Sequence, residues 1–317
     1  MQVSITGATG FIGRRLVRYY ADQGATVHVL SRQDIQSSNG SKIFQNDLAA
    51  CDSDDLIPFV DASDIVYHCA AELHDLEQMW PVNVEGTKKL LVAANGRIGR
   101  FVHLSSTGVY GPISRGIVDE TTPINPHNPY EKSKAEADKQ VLAFARTQQL
   151  SCCLLRPSNV YGPDMSNQSL FQMISMINRG RFFFIGRAGA IMNYIHADNV
   201  LNALIGCGTK KLPENGAIYI ISDNCSLEKL VGIIAAKLNK PSPTLRLPEF
   251  LVRSGITIAE HFSTIPLTQS RVDALTSRVI YSSERIFREL SYSHSITMEQ
   301  GIEGMVMKWI ECSKGAT

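Results

Sequence analysis

The chain has no surplus of charge. Its 31 Lys and Arg nearly balance 30 Asp and Glu, for a formal net charge of +1 over 317 residues. A broad basic face would unbalance that count, so nucleic acid is not an expected partner. A small anionic ligand held by a few local groups stays open, because net charge says nothing about one pocket. Cysteine is present without order. The seven residues Cys51, Cys69, Cys152, Cys153, Cys207, Cys225 and Cys312 form no CxxC pair, which speaks against a disulfide framework and a zinc cluster. The eight histidines show no metal-ligand spacing, so no metal is expected. No uncharged apolar stretch reaches the roughly 20 residues that span a bilayer, so no membrane span is expected. The start, MQVSITGATG, lacks the basic and apolar regions of a secretory signal. These absences together predict a cytoplasmic protein with reduced thiols.

What is present is an alternation of apolar strands and helices. Strands are predicted at Gln2–Thr6, Thr26–Leu30, Lys42–Gln45, Asp64–Cys69, Phe101–Ser105 and Ser151–Leu155. Helices are predicted at Phe11–Gln23, Val82–Ala94 and Pro129–Gln149. The alternation points to an α/β fold with a doubly wound parallel sheet. After Arg156-Pro157 the pattern loosens, interrupted by Pro157, Pro163, Pro213, Pro241, Pro243, Pro248 and Pro266. Helices are predicted at Ser169–Asn178, Asp198–Cys207, Ser226–Leu238 and Ser283–Leu290, and strands at Arg181–Ile185 and Ala217–Ile221. This half reads as a smaller, irregular α/β domain capping the edge of the sheet where ligands bind. The expected division is a dinucleotide domain over 1–160, joined by about 190–212, and a discontinuous substrate domain within 161–317.

The first strand runs into Gly7-Ala8-Thr9-Gly10-Phe11-Ile12-Gly13. Its glycines suit a tight turn, a close diphosphate and a closely packed helix. The helix start directs free N–H groups and a positive dipole end at that diphosphate. The second strand ends in Leu30-Ser31-Arg32. A carboxylate there would bind the ribose of NAD; a hydroxyl and a guanidinium suit the 2′-phosphate of NADP. NADP(H) is therefore expected over NAD(H). Asp34 lies too late in the loop to take over the ribose. Asp47 is placed to accept from the adenine amino group, or to cap a helix.

Tyr130 and Lys134 stand four apart on one helical face. A free phenol titrates near 10, and a neighbouring ammonium favours its phenolate, so Tyr130 is expected to exchange a proton near neutral pH. Ser105-Ser106 offer a hydroxyl for the reacting oxygen. His74 falls in a loop on the substrate side. Met173, Met176 and Ile177 read as core or interface, with a substrate wall as the lesser alternative, and Cys152-Cys153 as small apolar strand residues.

The ordered pieces TGATGFIG, HCAAEL, VNVEGT, HLSSTGVYG, YEKSK, LRPSNVYGP and NYIHADNV resemble the extended short-chain dehydrogenases/reductases, also described as the NAD-dependent epimerase/dehydratase family. The resemblance runs from Val3 to about Trp309. It implies a Rossmann domain with a C-terminal substrate domain, and homodimerisation through the helices around Val82–Ala94 and Pro129–Gln149. It implies Ser106 as catalytic hydroxyl, Tyr130 as general acid/base, and Lys134 as its partner and ribose ligand. Cofactor contacts are implied at Gly7, Thr9, Gly10, Phe11, Ile12, Gly13, Ser31, Arg32, Asp47, Leu48, Ala70, Ala71, Asn83 and Pro157. The substrate side is expected at Glu72, His74, Ser106, Thr107, Asn159 and Arg187.

Departures from the family's patterns narrow the reading. Its sugar-nucleotide dehydratases carry an Asp-Glu pair after the catalytic Thr, where this chain has Thr107-Gly108. Its 4-epimerases usually carry an acidic residue at the place of Ser31 and often an Arg at that of Met192. Arg179, Arg181 or Arg187 could compensate for the missing substrate Arg. The expected function is NADPH-dependent reduction of a nucleotide-activated 4-keto sugar. Alternatives are a hydroxysteroid or dihydroflavonol-reductase-like reductase of a hydrophobic ketone, a nucleotide-sugar 4-epimerase, and a non-enzymatic NADP-binding regulator.

Overall fold

The computed structural model describes residues 1–33, 40–148, 150–165, 167–259 and 268–314. Asp34, Pro266 and the Gln149 end of the expected helix lie outside them. Seven parallel strands form the main sheet: β1 (Gln2–Thr6), β2 (Thr26–Ser31), β3 (Lys42–Gln45), β4 (Ile65–His68), β5 (Arg100–Leu104), β6 (Cys152–Pro157) and β7 (Ala217–Ile221). Their order across the sheet is β7-β6-β5-β4-β1-β2-β3. The direction of winding reverses between β1 and β4, which opens a crevice at their C-terminal ends.

These strands read as near-continuous apolar runs because helices cover both faces. Val3, Ile5, Val66, Val102 and Leu155 are fully buried. Cys152 and Cys153 are buried in cores on opposite sides of the sheet, as alternation requires. Three polar residues also share one row: Thr6 pairs with His68, and His68 with His103. In-register neighbours project to the same face, so this row is a buried polar band.

The helix expected over Val82–Ala94 starts earlier. Asp75 accepts from the N–H groups of Glu77 and Gln78 and caps Leu76–Trp80. A wider π-type turn, Pro81–Glu85, then leads into Gly86–Ala94. Pro81 has no N–H to give to the previous turn, so the ladder re-registers there. The Pro129–Thr147 helix opens on Asn128, which accepts from Glu131 N–H while the Glu131 carboxylate accepts from Asn128 N–H.

The C-terminal half holds a three-stranded sheet of Asp223–Ser226, Ile191–His196 and Asn159–Tyr161. Arg181–Ile185, expected as a strand, pairs only at Phe184–Ile185, because its partner is the two-residue Arg246–Leu247. Ala217–Ile221 forms as expected, but as the edge of the main sheet rather than within the capping lobe. A second core, including Leu170, Ile174, Leu230, Ile234 and Met305, anchors that lobe over the crevice.

Candidate functional site

A cleft of about 1250 Å³ lies between the sheet edge and the capping lobe. Gly7, Gly10 and Gly13 line one end, Ser106, Tyr130 and Lys134 the middle, and Arg179 and Arg271 the far wall. No Asp, Glu or His lines it among the described residues.

The glycine turn is built for close approach. Gly7 has φ +65°, and a Cβ on it would come within 2.7 Å of the Ala70 nitrogen. A Cβ on Gly13 would collide with the Gly7 carbonyl oxygen. The backbone is therefore a cradle that a side chain would fill, which fits the diphosphate of a dinucleotide. Phe11, Ile12 and Pro157 line the same cleft. Thr9 is exposed beside them.

Ser106 and Tyr130 share a side-chain hydrogen bond, and the Ser106 hydroxyl also accepts from Gly108 N–H at 3.0 Å. Lys134 is buried, and its Nζ donates to the Leu104 carbonyl at 2.7 Å. The expected lowering of the phenol by this ammonium is overturned. Burial pushes Tyr130 up to about 12, with the Ser106 hydrogen bond pulling the other way. Burial brings Lys134 down to about 8, opposed by Asp138.

Behind the lysine lies a charge cluster that the sequence reading missed. One oxygen of Asp138 accepts from Arg156 Nε at 3.0 Å and from the Ser105 hydroxyl at 2.9 Å. Arg156 also donates to the Tyr110 hydroxyl at 2.8 Å. The other Asp138 oxygen lies 3.5 Å from His103 Nε2. All five side chains are buried. The available signal was Asp138, one helical turn beyond Lys134, facing an Arg on an apolar strand.

Several expected ligand residues are committed elsewhere. Asp47 Oδ1 accepts from Ala49 N–H at 2.9 Å and closes a turn; no helix starts there, so it is not the helix cap that was the other expectation. Leu48 is buried beneath Gly86. Asn83 is buried; its side chain accepts from Glu72 N–H at 2.7 Å and donates to the Ser133 hydroxyl at 3.0 Å. Glu72 Oε1 accepts from the N–H groups of Leu73, His74 and Asp75, which holds its carboxyl below the usual range. His74 is exposed and off the cleft lining. Thr107 is buried and hydrogen-bonds Tyr281. Arg187 sits on a separate cavity of about 520 Å³ with Arg246 and Arg278. Ser31 turns its hydroxyl to the Gln33 carbonyl at 2.8 Å, while Arg32 is exposed. Ala71 and Asn159 line the cleft; Ala70 supplies backbone beneath Gly7.

The far wall departs from the core reading of Met173 and Met176. Both line the cleft, with Met165, Phe182, Phe183 and Leu275; Ile177 alone of that trio is core. Arg271 was passed over inside LTQSRV; its guanidinium donates to Gln172 Oε1 at 2.9 Å.

A parallel sheet with a glycine turn at its switch point, and a Ser–Tyr–Lys group on the adjoining edge, defines a dinucleotide-binding α/β protein of the extended short-chain dehydrogenase/reductase type. Residues 3–221 match the NAD dependent epimerase/dehydratase family, and the chain belongs to it. It is 32% identical over 198 residues to a dTDP-glucose 4,6-dehydratase of Streptomyces niveus, covering 55% of this chain and 58% of that one. It is 31% identical over 246 residues to the Mus musculus dTDP-D-glucose 4,6-dehydratase, covering 70% and 68%. The chain thus spans little more than half the length of the Streptomyces relative, and 34% of an Arabidopsis thaliana trifunctional UDP-glucose 4,6-dehydratase. Among solved structures, a UDP-glucuronic acid 4-epimerase from Bacillus cereus in complex with NAD shares the fold at TM-score 0.74 and 18% identity, covering 98% of this chain and 99% of that one. No helix among the described residues is long and apolar enough to cross a membrane, and no group of three or more His, Cys, Asp or Glu among them is placed to hold a metal.

Proposed function

We propose that the protein is an NADP(H)-dependent oxidoreductase that reduces a nucleotide-activated 4-keto sugar. One observation carries the reading: the cleft joins a single Ser–Tyr–Lys group to two arginines, with no carboxylate or imidazole on its lining among the described residues. Eliminating water from a sugar needs a second acid and base, and Thr107 and Gly108 supply neither. One proton donor suffices to interconvert a carbonyl and an alcohol at one carbon.

A bound nicotinamide supplies the hydride. Ser106 donates a hydrogen bond to the substrate oxygen as charge builds there. Tyr130 gives that oxygen its proton, and a phenol held in its neutral form is suited to that direction. Lys134, beside the phenol, keeps a cation where the phenolate forms. Arg179 and Arg271 offer guanidinium groups for the substrate diphosphate, which favours a nucleotide sugar over a hydrophobic ketone. The exposed Arg32, at the end of β2 with no carboxylate at Ser31, supports NADP(H).

In this reading residues 1–160, with about 190–212, carry the cofactor, and 161–317 mainly bear the substrate. Exposed Leu76, Trp80 and Val92 on the 76–94 helical run support pairing of two copies there.

The test offers the purified protein a UDP-linked 4-keto-6-deoxyhexose, UDP-glucose and a panel of hydrophobic ketones, with NADPH or NADH, and follows absorbance at 340 nm. Net NADPH oxidation with the keto sugar is the expected result. Oxidation with the ketones alone, epimerisation of UDP-glucose without net cofactor turnover, or a preference for NADH would each overturn the corresponding part.

A further inference from the structure

A chain of hydrogen bonds crosses the interior from the cofactor side to the catalytic helix. Ala70 N–H donates to Thr6 Oγ1 at 3.1 Å. Thr6 Oγ1 lies 2.7 Å from His68 Nδ1. His68 Nε2 lies 2.8 Å from Thr87 Oγ1. The Thr87 hydroxyl donates to the Asn83 carbonyl at 2.7 Å. The Asn83 amide donates to Ser133 Oγ at 3.0 Å, and Ser133 Oγ donates to the Tyr130 carbonyl at 2.8 Å.

Counting protons gives this chain a direction. Thr87 has one hydroxyl proton, and it goes to Asn83. Its oxygen therefore accepts from His68, which places the ring proton on Nε2. Nδ1 is then bare and accepts from Thr6, whose oxygen is left to receive Ala70 N–H. Each hydroxyl and ring nitrogen is used in one sense, and the Asn83 amide also donates to the Glu72 carbonyl at 3.0 Å. The ends are functional elements: Ala70 lies under the glycine turn, and the Tyr130 carbonyl belongs to the turn bearing the phenol and Lys134.

We infer that His68 is a positioning residue. As a neutral imidazole protonated on Nε2, it registers the cofactor-side loop at Ala70–Glu72 against the helical turn of Tyr130. This rests on the reading of Tyr130 as the proton donor. The ring is buried and lies tilted by 33° against His103, with centroids 5.3 Å apart. Burial, with Lys134 adding to it, holds His68 down to about 3, so it stays neutral across the working range.

The test removes one link without changing shape. Thr87→Val deletes the hydroxyl, and Thr87→Ser keeps it. In Thr87→Val, amide hydrogen exchange at Ala70 and Glu72 speeds up by about tenfold or more. Turnover of the UDP-linked keto sugar falls by about tenfold in kcat, with KM and the NADPH Kd within about threefold. Thr87→Ser behaves as wild type. Nitrogen-15 NMR of histidine-labelled wild type shows His68 with its proton on Nε2, a readout that needs no folded variant. A proton on Nδ1, or an unchanged Ala70 exchange rate in Thr87→Val, would overturn the inference. Exchange and tautomer need no substrate. Full turnover in Tyr130→Phe would instead remove the proton-donor reading and leave these two measurements standing.

Discussion

Lys134 spends its best hydrogen bond on the Leu104 carbonyl, 2.7 Å away at the end of β5 and two residues before Ser106. The bond ties the helix bearing Tyr130 to the strand that delivers Ser106, and it keeps the ammonium buried. That burial has a cost which depends on pH.

In the unfolded chain Lys134 titrates at its ordinary 10.5; in the folded chain burial lowers this to about 8. Below pH 8 both states hold the proton, and the folded state carries the whole penalty, about 3 kcal/mol. Between pH 8 and 10.5 the unfolded state holds more of the proton, so stability rises with pH. Lys134→Met removes the penalty and loses a bond to Leu104 worth about 1–2 kcal/mol. Its melting temperature is expected to exceed that of wild type at pH 7, with the gap closing as pH rises from 8 to 10. A gap that stays constant over this window would contradict the assignment.

Tyr130→Phe keeps the ring and removes the proton. It is expected to lower kcat by about 10²–10⁴-fold and to leave NADPH binding within about threefold. Ser106→Ala is expected to cost about 10²–10³-fold. Stopped-flow hydride transfer separates these effects from product release. A Phe variant with full hydride-transfer rate would remove Tyr130 from the chemistry.

Asp138→Asn leaves Arg156 charged and buried without its counter-ion. The expected loss is about 3–5 kcal/mol by urea denaturation. Adding Arg156→Met is expected to restore part of it, because the stranded charge is then gone. An additive loss in the double variant would show that the two side chains do not act as a pair.

Arg271→Ala is expected to raise KM for a UDP-sugar by about 10–100-fold while kcat stays within about threefold, the signature of lost ground-state binding. An unaltered KM would place the diphosphate elsewhere in the cleft.

Much of the sheet could be read from residue order, because a parallel strand buried on both faces must be apolar and a helix must not be. The Ser169–Asn178 helix and the Ala217–Ile221 strand have the bounds expected of them. The capping lobe was less legible. The pairing of Arg278–Tyr281 with Arg115–Val118 joins segments far apart in sequence, each only four residues long. At the cleft, the Ser106–Tyr130–Lys134 spacing and the glycine turn could be read because local geometry fixes them. Asn83 and Glu72 could not, since a polar side chain beside a cleft satisfies a neighbouring backbone as readily as a ligand. Arg179, just past the Ser169–Asn178 helix, and Arg271, within Gln269–Thr276, are far apart in sequence, and only the fold brings them to one cleft.

The lack of carboxylate and imidazole among the described residues of the cleft lining has a consequence for how its charge responds to acid. Between pH 5 and 7 no described side chain facing that space has an ordinary titration to undergo. A fall from pH 7 to pH 5 would therefore leave the charge of the described cleft walls unaltered. The described walls carry no acid-sensitive group of their own, so a pH effect between 5 and 7 would have to enter from outside those residues.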